Sequence, residues 1–145
     1  MIGTENLKLA KELGIEQADL LVLTRVVEIL NIRPPFTALE RQDEAELAIA
    51  YLKAKYRKLA AIAERDYHAH RGVLRRAEMM EWTSPRGRVD EGLSDIVESF
   101  DDLHDLRTRR EAYEALKDLL WGMRDTVYAR RRTLEERNIT ERKEH

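Results

Sequence analysis

The sequence predicts an all-α protein: a long antiparallel helical hairpin with two short helices in front of it, built to self-associate. Charged residues make up 37% of the 145-residue chain, while turn formers are limited to 6 Gly and 3 Pro. Ala, Leu, Glu and Arg dominate, so strong helix formers are dense and sheet or turn chemistry is sparse. Two stretches of roughly 45 residues carry a helical spacing of apolar side chains. One clear loop, Thr83-Ser84-Pro85-Arg86-Gly87-Arg88, separates them.

The elements follow in order. A first helix is expected from about Asn6 to Leu13, stopped by Gly14, a residue suited to the left-handed C′ position. A second runs from about Glu16 to Leu30 and is very apolar through Leu20, Leu21, Val22, Leu23, Val26, Val27, Ile29 and Leu30. Pro34-Pro35 then breaks the chain, because proline disfavours helix in the residue before it. Thr37 and Glu40 form a capping box, so a long helix starts near Ala38 and continues to about Trp82. Read every seven residues, Ile49, Tyr56, Ala63, His70 and Ala77 form one row of a seam. Leu52, Leu59, Asp66, Val73 and Met80 form the other. Past the loop, Ser94 is the expected N-cap of a closing helix, with Asp95 and Glu98 placed well for its dipole. That helix is expected to end near Asn138, with Leu106, Tyr113, Leu120, Val127 and Leu134 as its core or oligomer seam, supported by Leu103, Leu116 and Met123. Ala60, Tyr67, Leu74, Leu119 and Trp121 widen the apolar stripe beyond what one facing helix covers, hence the expected homo-oligomer. The organisation read from this is an apolar helical segment over 1–36, the hairpin over 37–138 and a polar tail over 139–145.

Composition removes several classes. With no cysteine, disulfides and thiolate metal sites or nucleophiles are excluded. No apolar run approaches ~20 residues, so no membrane span is expected. Met1 to Glu12 lack the basic-then-apolar order of a signal peptide, and a cytoplasmic protein is the expectation. The net charge of −2 hides segregation. Residues 1–50 hold 5 basic and 9 acidic residues, 51–88 hold 10 and 4, 89–118 hold 4 and 10, and 119–145 hold 7 and 5. Blocks of this size suit an anion-binding face or contacts between subunits.

Catalytic patterns are weak. His68 and His70 stand two apart on a helix, on different faces, and cannot share a metal. His104-Asp105 lacks a partner histidine at a suitable place. Asp43, Glu46, Glu98 and Asp102 could face one another as in helical Mg²⁺-dependent nucleotide hydrolases, but their spacing is irregular. There is no phosphate-binding glycine loop or nucleophile elbow, and neither a cofactor nor a metal is expected. A helix-turn-helix reading of Leu9 to Leu23 fails because its second helix opens with Glu16, Gln17 and Asp19, which suit neither phosphates nor base edges.

The basic helix carries the stronger signal. Tyr51-Leu52-Lys53-Ala54-Lys55-Tyr56-Arg57-Lys58 sets four cations beside two aromatics. Single-stranded nucleic acid calls for this pairing, cations for phosphates and rings for unpaired bases. Arg65, Arg71, Arg75 and Arg76 extend the cationic series, and Arg86 and Arg88 add to it from the loop. Tyr56 falls on the seam and is read as core.

From Asp66-Tyr67-His68-Ala69-His70-Arg71-Gly72 onward the chain resembles the UvsY-like recombination mediator proteins of tailed phages. The similarity continues through Leu93-Ser94-Asp95-Ile96-Val97-Glu98-Ser99-Phe100-Asp101, Tyr113 to Leu120, Met123-Arg124-Asp125 and Arg130 to Leu134, covering roughly residues 45–137. Its motifs are mostly helical periodicity plus a few side chains. The resemblance implies a non-enzymatic, ring-forming helical protein, in the host cytoplasm if phage-encoded. It also implies single-stranded DNA binding and help to a phage recombinase in displacing the single-strand-binding protein. The family's basic pair before the D-Y is replaced by Ile62 and Glu64, with Arg65 adjacent, so the expected DNA contacts are Lys53, Lys55, Arg57, Lys58, Arg65 and Arg71. The alternatives are a helical adaptor that does not bind DNA and a small helical subunit of a CRISPR effector complex.

Overall fold

A computed structural model describes the backbone of residues 1–33, 38–81 and 89–144. Its regular structure there is entirely helical, in the order α1 (Thr4–Glu12), α2 (Gln17–Leu30), α3 (Ala38–Glu81) and α4 (Val89–Glu144). Pro34, Pro35, the Thr37 half of the capping box and the loop cations Arg86 and Arg88 lie outside the described residues.

Helix α1 ends as its glycine requires. Gly14 has φ 83, its N–H donates to the Lys11 carbonyl and the next N–H, from Ile15, donates to Ala10 (both 3.1 Å). These are the two bonds of a Schellman motif, and the Ile15 side chain that follows is buried. The chain then turns into α2. After α2, Asn31 ties the N-terminus back: its Oδ1 accepts the Ile2 N–H at 3.0 Å and its Nδ2 donates to the Ile2 carbonyl at 2.8 Å.

The chain divides into two compact units, one formed by 1–57 with 115–145, the other by 58–114. In the first unit α3 and α4 run antiparallel, as partners descending α4 while ascending α3 show: Gln42 Nε2 donates to the Val127 carbonyl at 2.7 Å, and Lys53 lies over the Trp121 ring. Leu23, Val26 and Ile29 of α2, Ile49, Leu52 and Tyr56 of α3, and Leu116, Leu120, Met123 and Val127 of α4 are its core. In the second unit Tyr67 of α3 faces Arg110 of α4.

Three expectations are corrected. Helix α4 starts at Val89, not at Ser94, which lies inside it. Asp90 and Glu91 suit a helix N-terminus, and Gly92 costs only about 1 kcal/mol in a helix. The helix also passes Asn138 and reaches Glu144, through a stretch with no proline or glycine. The third concerns register. The heptad rows of α3 put Asp66 and Val73 in the seam, yet both are exposed, Val73 at 57%. Among the described residues of α3 the buried apolar ones are Ala45, Ile49, Leu52, Tyr56, Ala60, Ala63 and Leu74, an 11-residue recurrence (45 and 56; 49 and 60; 52, 63 and 74). A straight helix drifts about 20° per heptad, so a seven-residue reading loses the face after two or three repeats. In α4, Leu120, Val127 and Leu134 are buried and Leu106 and Tyr113 half-buried. Val73 and Leu74 make a direct test. Leu74→Ala should cost about 2–3 kcal/mol by thermal unfolding, and Val73→Ala under about 0.5; the heptad register demands the reverse.

Candidate nucleic-acid interface

The cations of α3 share a sequence block but not an environment. Lys55 is committed to α2: its Nζ lies 2.6 Å from Glu16 Oε2 and 2.8 Å from Asp19 Oδ2. Tyr56, fully buried, donates its hydroxyl to the same Asp19 oxygen at 2.8 Å and accepts the Glu16 N–H at 3.2 Å. The two acids hold the Lys55 ammonium well above the usual lysine range, and burial does the same for the Tyr56 phenol. This pair of neighbours is an anchor for α2, so Lys55 leaves the set of cations available to a ligand and Tyr56 stacks nothing. Arg25 of α2 adds a second clamp, Nε to Glu44 Oε1 at 3.0 Å.

Lys53 and Arg57 sit one turn apart on the other side of α3, facing α4. There Lys117, Trp121, Arg124 and Tyr128 recur at i, i+4, i+7 and i+11, one face of a helix. The two helices enclose a cleft of about 450 Å³ lined by Lys53, Arg57, Lys117, Asp118 and Trp121. An adjoining smaller one is lined by Lys53, Arg57, Arg124 and Tyr128 over a floor of Ile49, Ala50 and Ala54. Trp121 is 51% exposed and Tyr128 40%. Lys53 Nζ stands 3.7 Å from the Trp121 ring centre, and the Arg124 guanidinium 5.6 Å from it and 4.9 Å from Tyr128. Burial lowers the Lys53 pKa, and repulsion from Arg124 and Arg57 lowers it further against the pull of Asp125. Like charges gathered about one ammonium are what an incoming anion relieves.

Sequence reading named Lys53 and Arg57 but missed Lys117, Arg124 and Tyr128, and assigned Trp121 to the apolar stripe. The signal was present in the 117/121/124/128 spacing. It was hidden because Leu116, Leu120, Met123 and Val127 interleave with it and supply the core pattern.

The other α3 cations expected to contact DNA fall in the second unit. Lys58, Arg65, Arg71, Arg75 and Arg76 are exposed, with Arg65 3.7 Å from Asp66. Arg71 lines a cleft with Tyr67, Arg107, Arg110, Glu111 and Glu114, where Arg110 covers the Tyr67 ring at 4.9 Å.

Two of the acids considered for metal chemistry, Asp43 and Glu46, are held by Arg131, while the side chain of Glu98 lies outside the described residues. Arg131 takes Glu46 through Nε at 2.8 Å, bonds Asp43 through Nη2 and lies 3.6 Å from Glu135. His68 is exposed, 3.8 Å from Glu64. Among the described residues no three His, Asp or Glu side chains assemble as a metal site, and no helix there is long and apolar enough to cross a membrane. Comparison with protein-family models, curated proteins and solved structures returns no match for this chain.

Proposed function

We propose that this chain binds single-stranded nucleic acid without sequence preference, through the α3–α4 cleft of its first unit. Lys53, Arg57, Lys117 and Arg124 take the phosphates, and Trp121 and Tyr128 take the bases. The observation that carries this is a half-exposed indole set among cations whose charges repel one another. A Lys53 ammonium over an exposed ring is worth about 0.5–1 kcal/mol, whereas a base stacked on the ring gains about 1–3. A base therefore displaces the ammonium, which then meets the adjoining phosphate. The strand is single-stranded DNA, and the role is the one the phage family implies: an oligomeric mediator that helps a recombinase assemble on strands coated by single-strand-binding protein.

The test is fluorescence anisotropy with a labelled oligo-dT strand across a salt series, run beside native mass measurement. Saturable binding is expected, with the logarithm of affinity falling against the logarithm of salt by about 0.7 per phosphate contacted. Trp121→Ala should weaken it roughly tenfold or more without changing that slope or the melting temperature. A defined oligomer that salt dissociates and that ignores the strand even at low salt would instead favour the adaptor.

A further inference from the structure

The end of the first unit away from Lys53 and Trp121 carries a different kind of groove. Its walls are Ile2, Leu30 and Ile32 on one side and Ala129, Thr133 and Leu134 of α4 on the other, enclosing about 450 Å³. The walls are held in place: Asn31 clamps the Ile2 backbone from both sides, and Arg130 Nη2 donates to the Ile32 carbonyl at 3.0 Å. Thr133 turns its hydroxyl back to the Ala129 carbonyl at 3.2 Å, so it offers the groove a methyl. Against this apolar lining stands one unusual group. Arg130 lines the groove with no carboxylate beside it in that lining, and its Nη1 is buried with no hydrogen-bond acceptor. Burial lowers its pKa, and Arg137 lies farther along the rim. A guanidinium partly withdrawn from water without a counter-ion is costly, and a carboxylate that reaches its exposed part offsets that cost.

We infer that this groove docks a short peptide segment of another protein, one that places an acidic side chain on Arg130 and apolar side chains between Ile2, Leu30, Ile32 and Leu134. Charge complementarity selects the occupant. The lining is too apolar for a bare anion and its one buried polar group too cationic for an apolar segment alone. The site stands apart from the cleft of Lys53 and Trp121 and does not depend on nucleic-acid binding.

The test titrates ¹⁵N-labelled full-length protein with a synthetic peptide of alternating Glu and Leu, and with its Gln/Leu counterpart. The Glu/Leu peptide should bind saturably and shift the amides of Ile32, Ala129 and Thr133, with the Gln/Leu peptide at least about tenfold weaker. Arg130→Met should abolish that preference while keeping the fold, since methionine fills the same space without the charge. Ala129→Trp, at an exposed position, should block both peptides. Equal binding of the two peptides would overturn the inference. So would shifts centred on Lys53 and Arg57, which would mark the peptide as a mere polyanion. A change of native mass in Ala129→Trp would give the groove to a second copy of this chain and equally defeat it, as would tighter binding of decanoate than of the peptide.

Discussion

Replacing Lys53, Arg57 and Arg124 together by alanine is expected to weaken oligo-dT binding about a hundredfold at low salt and to make the salt slope shallower by roughly two. The three side chains converge on one cleft from two helices, and burial, with repulsion from Arg124 and Arg57, lowers the Lys53 pKa. Removing them takes away the phosphate partners proposed above and leaves the buried Ile49, Leu52 and Met123 in place. The melting temperature should hold or rise slightly as repulsion is relieved. Lys55→Ala is the control that separates this arrangement from a uniform basic helix. Its ammonium is held by Glu16 and Asp19, so its loss should leave the salt slope unchanged and lower stability instead. If Lys55→Ala flattens the slope as much as Lys53→Ala does, the cleft is not where the strand lies.

The second large effect is on stability. Asp19→Ala should destabilise the protein by about 3 kcal/mol, because it removes a charge-assisted bond to the Tyr56 hydroxyl and strands that hydroxyl in the interior. Asp19 is only 2% exposed and Tyr56 fully buried, so water cannot replace the acceptor. For a chain of this size the melting temperature should fall by on the order of 10 °C. Adding Tyr56→Phe to Asp19→Ala should recover part of the loss, since the phenyl ring fills the core without an orphaned donor. Circular dichroism through the thermal transition measures both, and equal melting points for the single and double variants would contradict the account. The same group predicts a pH response. Folded Lys55 and Tyr56 hold their protons to higher pH than the unfolded chain does. Their contribution is therefore fully present below about pH 10 and is lost as pH rises above it. Asp19→Ala should show a shallower alkaline decline than the parent.

Local chemistry was legible in the sequence wherever a residue's role depends on its own neighbours along the chain. Gly14 ends α1 because only a residue tolerant of positive φ closes the Schellman pair there. The start of α3 at Ala38 and the heptad of Leu120, Val127 and Leu134 follow from residues close by in the sequence. Register over a long helix did not, since a small angular error accumulates and put Val73 where Leu74 belongs.

Tertiary structure alone decided which charges are spoken for. Lys53 and Lys55 are two residues apart and look alike in sequence. One faces Trp121 across the cleft, while the other is bound by acids 36 and 39 positions earlier. Periodicity says which residues share a face of one helix. It cannot say what the neighbouring helix sets opposite that face, and a surface cation's availability depends on that opposite partner. The same holds for Arg130, an ordinary arginine in sequence that acquires its unmet charge only because the end of α2 and the N-terminal residues fold over it.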